Sequence, residues 1–207
     1  MKLKIAEVFD SVQGEGFHAG VPMTFVRFAG CGVTECALHP KNKGHCDADW
    51  SYDHSIDGVK AITEFAKTFS GRKWVCVTGG EPFNQLMQLK IFVSALRKFG
   101  VKVNIQTSGM VAGIVPCDFL TVSPKCKRST DLIQTTGDEL KVVWFDRDYG
   151  DLLHFFRFTN FQGYWIQPLF DGVDSDFKSA IDAVRIANTM NMDWRLSVQI
   201  HRHIGVR

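Results

Sequence analysis

The chain has 207 residues, 45% of them hydrophobic and 22% charged, which is enough for a sizeable core and excludes a disordered tail or a disulfide miniprotein. With 24 Lys and Arg against 22 Asp and Glu, the net charge is +2, so there is no electrostatic footing for nucleic acid or a membrane surface, and a small, nearly neutral substrate fits better. The opening Met1-Lys-Leu-Lys-Ile-Ala-Glu lacks the apolar core of a secretory signal, and no run of about eighteen uncharged apolar residues follows; a cytoplasmic, soluble protein is expected.

No repeat, low-complexity tract or Pro/Gly-rich linker interrupts the chain, which predicts one domain over residues 1–207. In chain order, short apolar and β-branched runs at 23–29, 74–77, 101–105, 119–122, 140–145, 164–166 and 196–199 read as strands. Helical patterns lie between several of them, at 56–69, 84–99, 149–158 and 174–190, and Leu86, Leu89, Phe92, Val93 and Leu96 repeat on one helical face. Strands alternating with helices predict a parallel sheet, open or curled into a barrel, with its active site at the carboxyl ends of the strands. Six polar or cysteine-bearing segments fall at those ends. Cys31 follows the first run, Thr78-Gly-Gly-Glu-Pro82 the second, Gln106-Thr-Ser-Gly109 the third and Ser123-Pro-Lys125 the fourth, while Gln167-Pro168 and His201 follow the last two.

Six cysteines, at 31, 36, 46, 76, 117 and 126, do not suggest a disulfide framework in a reducing compartment. Cys31, Cys36 and Cys46 are clustered as C-x4-C-x9-C in one polar loop. Three thiolates on a loop can wrap a soft metal centre. His39 or His45 would complete a Cys3His structural zinc, whereas a cluster with one iron lacking a protein ligand keeps a position open for a cosubstrate. Unrelated thiols are the third reading, and it suits Cys76, Cys117 and Cys126 as buried small hydrophobes. Gly79-Gly80 allows a close backbone approach, and Glu81-Pro82 fixes the turn. Glu139 and Lys141 alternate with Leu140 and Val142, which puts both charges on one strand face as a candidate ion pair.

A glycine turn one strand after a three-cysteine loop resembles the radical S-adenosylmethionine superfamily. The resemblance narrows at Glu7-Val-Phe-Asp-Ser-Val-Gln-Gly-Glu-Gly16, Phe25-Val-Arg-Phe-Ala-Gly-Cys31, Cys46-Asp47, Asp49-Trp50, Glu139-Leu-Lys141 and Gln199-Ile-His-Arg202, which together are similar to the 7-carboxy-7-deazaguanine synthase family from end to end. It implies a partial, modified TIM barrel of about six βα units, with a cluster-binding loop after the first barrel strand. It implies conversion of 6-carboxy-5,6,7,8-tetrahydropterin to 7-carboxy-7-deazaguanine with loss of ammonia, on the way to queuosine-type 7-deazapurines. The implied cofactors are a [4Fe-4S] cluster, S-adenosylmethionine and Mg2+, and the implied partners are an electron-donor reductase such as flavodoxin and a second copy of the chain in a homodimer.

Residue by residue, the resemblance assigns Cys31, Cys36 and Cys46 to the cluster. Gly79, Gly80, Glu81, Thr107, Ser108, Ser123 and Lys125 are assigned to S-adenosylmethionine, and Gln13, Gly14, Glu15, Arg27, Gln167 and His201 to the pterin, with Arg27 suited to fork onto its carboxylate. The chain departs from the family in three places. The cysteine spacing is not the superfamily's C-x3-C-x2-C. Ala48 stands where a magnesium-ligating threonine is common, leaving Asp49 or Ser51 as nearby oxygens. Gln106 replaces a glutamate. Two alternatives carry different expectations: radical chemistry on another substrate, such as a glycyl-radical activase performs, and a zinc-stapled α/β binding module without catalysis.

Overall fold

A computed structural model of the chain describes residues 2–33, 36, 46, 54–145, 147–170 and 176–206. In chain order the elements are β1 (Lys2–Val12), β2 (Pro22–Phe28), β3 (His54–Asp57), α1 (Val59–Lys67), β4 (Trp74–Gly79), α2 (Leu86–Lys98), β5 (Lys102–Thr107), β6 (Phe119–Val122), β7 (Thr136–Trp144), α3 (Tyr149–Phe158), β8 (Asn160–Pro168), α4 (Phe177–Thr189), β9 (Trp194–Leu196) and α5 (Ile200–His203). The strands form one nine-stranded sheet in the order β3-β1-β2-β4-β5-β6-β7-β8-β9. From β2 through β9 every pairing is parallel, while β1 lies antiparallel to both β2 and β3.

Seven parallel strands in sequential order need six crossovers, the expected number of units. Four carry a long helix (α1, α2, α3 and α4). The β5 to β6 connection has none among the described residues, and β6 reaches β7 through a single 3-10 turn at Ser129–Asp131. The outermost strands, β3 and β9, are not paired with each other, so the barrel is open.

Strand alternation divides each strand between two environments. Val26 and Phe28 of β2, Val75 and Val77 of β4, and Val103 and Ile105 of β5 pack beneath α1 and α2 in one core. Leu140 and Val142 of β7 and Ile166 of β8 pack beneath α3 and α4 in a second. The intervening positions, Arg27, Thr78, Gln106, Lys141 and Gln167 among them, line a cavity on the opposite face. Helix α2 buries Leu89, Phe92, Val93 and Leu96 as its pattern predicts, and α3 starts at Asp148, whose side chain accepts from Asp151 N.

Element boundaries differ from expectation in several places; β7 and β8, for instance, begin at Thr136 and Asn160 rather than at 140 and 164. Residues 56–57 end strand β3 rather than starting a helix, because Gly58 at φ +87° turns the chain before α1. The last strand is Trp194–Leu196, and residues 197–199 leave the sheet so that Ser197 and Gln199 can join a polar network. Strand β1 was not foreseen. Its signal is the alternation of buried Leu3 and Ile5 with exposed Lys2 and Lys4.

Candidate active site

A cavity of about 270 Å³ opens at the carboxyl ends of the parallel strands. Its first wall is thiol-bearing. Cys31, Cys36 and Cys46 all face it, and none of the six cysteines is in a disulfide. Cys31 lies three residues beyond the end of β2. Burial pushes its thiol up, and the nearby Glu81, Cys36 and Cys46 add to that. Among the described residues no three His, Cys, Asp or Glu side chains stand close enough to close a metal cage; the three thiols share a cavity wall. His39 and His45, the candidates for completing a zinc site, and Asp49 and Ser51, those for magnesium, lie outside the described residues, as does Ala48. Cys76 is buried, with its thiol pushed up to about 12 by desolvation, and burial likewise raises Cys117 to about 11 and Cys126 in the same direction. A thiol raised in this way stays protonated at neutral pH, which suits a packing role for these three.

The glycine turn forms the adjoining wall. Gly79 and Gly80 were expected to let the backbone approach a ligand, and the structure gives a more immediate reason for them. Gly79 has φ +138°, and a Cβ there would lie 2.1 Å from the Phe28 carbonyl oxygen; at Gly80 it would lie 2.1 Å from the Gly30 carbonyl oxygen and 3.0 Å from Cys31 Cβ. The turn is bonded to the segment leading into the cysteines, with Gly80 N donating to Phe28 O at 3.1 Å and Glu81 N to Gly30 O at 3.0 Å.

The Glu81 side chain sits behind this wall. Expected among the residues that meet S-adenosylmethionine, its carboxylate is 0% exposed and does not line the cavity. Oε1 accepts from Phe83 N at 2.9 Å and Thr107 Oγ at 2.8 Å, and Oε2 accepts from Ser108 N at 2.8 Å and from Ser108 Oγ. Four donors occupy the carboxylate because β5 ends beside the glycine turn. Thr107 and Ser108, with Gln106 beside them, line the cavity above it. The Glu81 carboxylate therefore ties the end of β5 to the glycine turn.

A further polar group on the cavity is Glu15, which follows β1 in a loop tied back by Gln13 N donating to Val21 O and Gly20 N to Gln13 O. Its Oε2 is ion-paired with Lys141 Nζ, and its Oε1 accepts from Gln199 Nε2 at 2.6 Å and Gln167 Nε2 at 3.1 Å. The side chains of Lys141 and Glu15 are only 4% and 15% exposed. Burial by itself would raise Glu15, but the Lys141 ammonium, its hydrogen bond and that of Gln199 bring the carboxyl down to about 2. Desolvation works against the Lys141 ammonium, yet Glu15 and Glu139 outweigh it and hold its pKa above the ordinary lysine value. The expected Glu139–Lys141 pair is thus replaced: Lys141 bonds Glu15, while Glu139 accepts from Phe17 N at 2.5 Å and is pushed up by burial.

The remaining expected residues also line this cavity. Arg27, directly opposite Glu7 across β1 and β2, donates from Nε to Glu7 Oε1 at 2.7 Å. Lys125 Nζ donates to Ser123 Oγ at 3.2 Å. His201, on α5, sits so closely over Gly14 that a Cβ there would fall 1.8 Å from its Nδ1. Sequence reasoning missed Arg202, whose guanidinium lies 3.8 Å above the Phe170 ring, and the apolar walls Phe9, Phe25, Val33, Val143 and Leu169. Phe25 and Val143 were legible from strand alternation alone, being two residues from Arg27 and Lys141.

No protein-family model matches the chain. It is 31% identical to a 7-carboxy-7-deazaguanine synthase of Caulobacter vibrioides and 32% identical to one of Burkholderia multivorans, in each case over 100% of both chains. The crystal structure of QueE from Escherichia coli superimposes with a TM-score of 0.67 at 23% identity, covering 97% of this chain and 95% of that one; it shares the fold. Identity of this extent over full length, on a barrel whose open end gathers three thiols, a double-glycine turn and a buried Glu–Lys pair, places the chain in the 7-carboxy-7-deazaguanine synthase family.

Proposed function

We propose that the whole chain acts as one radical S-adenosylmethionine domain that converts 6-carboxy-5,6,7,8-tetrahydropterin to 7-carboxy-7-deazaguanine, with ring contraction and loss of ammonia, in the formation of queuosine-type 7-deazapurines. The observation that carries this reading is the single cavity on which the Cys31, Cys36 and Cys46 thiols and a polar pocket shaped by Glu15 both open.

Cys31, Cys36 and Cys46 would hold a [4Fe-4S] cluster, since thiolate is the usual ligand to such a centre. When bound, the cluster and S-adenosylmethionine supply the one-electron chemistry that begins with hydrogen-atom abstraction. The chain's own residues bind, orient and exclude water. The Gly79-Gly80 backbone, Thr107 and Ser108 form the surface for S-adenosylmethionine, and Lys125, steadied by Ser123, offers a cation to its carboxylate. Glu15, ionised in its ring of donors, accepts N–H groups from the amino-pyrimidine edge of the pterin. Gln13, the Gly14 backbone, Gln167 and His201 border the same space, and Arg27 supplies the positive charge for the substrate carboxylate. Phe9, Phe25, Val143 and Phe170 keep water from the reacting atoms. An external one-electron donor such as flavodoxin, a homodimeric assembly, Mg2+ bound near Asp49 and a cytoplasmic location belong to the same reading. Among the described residues no helix is long and apolar enough to cross a membrane.

Anaerobic reconstitution with iron and sulfide is expected to give a broad absorbance near about 400 nm. The reduced protein with S-adenosylmethionine and 6-carboxytetrahydropterin should then release the deazaguanine and ammonia. Cleavage of S-adenosylmethionine without deazaguanine would move the assignment to another substrate, and uptake of one zinc with no iron would replace it by the zinc-stapled module.

A further inference from the structure

The groups around Glu15 are each locked as donors. Gly16 N donates to Ser197 Oγ at 3.1 Å, so the Ser197 hydroxyl proton goes to Gln167 Oε1, also at 3.1 Å. That fixes the Gln167 amide with its NH2 group toward Glu15. Arg202 Nε can only donate, and it does so to Gln199 Oε1 at 3.1 Å; the Gln199 NH2 group therefore also faces Glu15. Lys141 Nζ has no acceptor capacity at all. Three fixed donors converge on one carboxylate, and a protonated Glu15 would set its own O–H against one of them.

An ionised carboxylate accepts in about four directions. Lys141, Gln167 and Gln199 occupy three of them. What is left toward the cavity is acceptor capacity only. The charged and titratable groups around Glu15 on this cavity are Lys141 and the nearby Glu139 from β7, Arg27 from β2, Lys125 after β6, His201 and Arg202 from α5, and the neutral Cys76 thiol from β4. Among the described residues Lys141 is the cation that forms an ion pair with it.

We propose that Lys141 is a positioning residue that keeps Glu15 an anion and a pure acceptor, so that the cavity selects a ligand edge presenting N–H donors over one presenting a carbonyl acceptor. This rests on the reading that Glu15 meets the pterin, where the 2-amino group and the adjacent ring N–H supply such an edge. Lys141 acts through Glu15, by charge and by orientation.

The test compares wild type with Lys141→Met, Lys141→Gln and Lys141→Arg, all with the cluster reconstituted. The first readout is the infrared carboxyl band of Glu15, identified by its loss on a further Glu15→Gln change. Wild type and Lys141→Arg should show no protonated Glu15 at pH 6, whereas Lys141→Met and Lys141→Gln should show one. The second is binding of fluorescent 6-carboxypterin, an oxidised analogue, taken as the ratio of variant to wild-type affinity at each pH so that titration of the ligand and of His201 cancels. That ratio should be flat for Lys141→Arg. For the two uncharged variants it should fall about tenfold for each pH step of one below the raised Glu15 value. An ionised Glu15 in the uncharged variants, or a ratio flat with pH while Glu15 protonates, would overturn the proposal. Absence of carboxypterin binding by the wild type would count instead against the substrate reading, and the infrared result alone would then decide whether Lys141 holds Glu15 ionised.

Discussion

At the scale of single residues, the site depends on two carboxylates used in opposite ways. Glu81 spends all its acceptor capacity inside the protein, on Phe83 N, Thr107 Oγ and both donors of Ser108. Glu15 keeps part of its capacity facing the cavity. Glu81→Ala removes the acceptor for four donors buried beneath the cavity floor, and each unpaired buried donor costs about 1–3 kcal/mol. With some relaxation and water entry, the expected loss is at least ~3 kcal/mol by urea denaturation, together with weaker binding of S-adenosylmethionine because Thr107 and Ser108 lose their anchor. Unchanged stability would show that the carboxylate is dispensable to the fold.

At the scale of elements, the loop after β1 and the short α5 make one unit. Ile200 N donates to Gly14 O at 2.9 Å, His201 covers Gly14, and Gln199 reaches Glu15. Gly14 is required because the imidazole occupies the place of a Cβ. Gly14→Ala is therefore expected to displace α5, raising KM for the pterin by about tenfold or more, equivalent to ~1.4 kcal/mol, while cleavage of S-adenosylmethionine in the absence of pterin continues. Equal losses in both assays would show that the two segments are not confined to the pterin side. Gln199 and His201 lie over 180 positions from Glu15 in the chain, and only the docking of α5 on the Gly14 carbonyl brings them together.

At the scale of the whole molecule, the helices cover one face of the open barrel in two separate cores while the chemistry occupies the other face. Phe92 shows the division. It is fully buried, and its ring lies 5.4 Å from Phe65, 5.9 Å from Phe69 and 6.1 Å from Phe28, on the far side of β2 from the cavity. Phe92→Ala should cost about 3–5 kcal/mol, measured by denaturant midpoint. The fraction that remains folded should retain wild-type KM, because the rings packed on Phe92 belong to the helix-covered core and none of them lines the cavity. A changed KM would mean that the helical layer tunes the site.

Much of this was legible in the sequence because it is local. The strand and helix periods, the double glycine, the cysteine spacing and the placement of each motif just beyond a strand follow from short-range pattern, and a parallel sheet then sends all those motifs to one end. The antiparallel pairing of β1 between β2 and β3 and the parting of 197–199 from the last strand were not, since strand partners and polar rewiring depend on distant residues. The role of Glu81 and the partner of Lys141 were beyond the sequence for the same reason. A Glu after two glycines reads as a ligand contact, and Glu139 beside Lys141 reads as its pair. By itself the sequence determined the fold class, the rim and the residue types available there. Only the tertiary structure decided which carboxylate is sealed beneath the cavity and which faces it, because that depends on which donors from other strands arrive within hydrogen-bond reach.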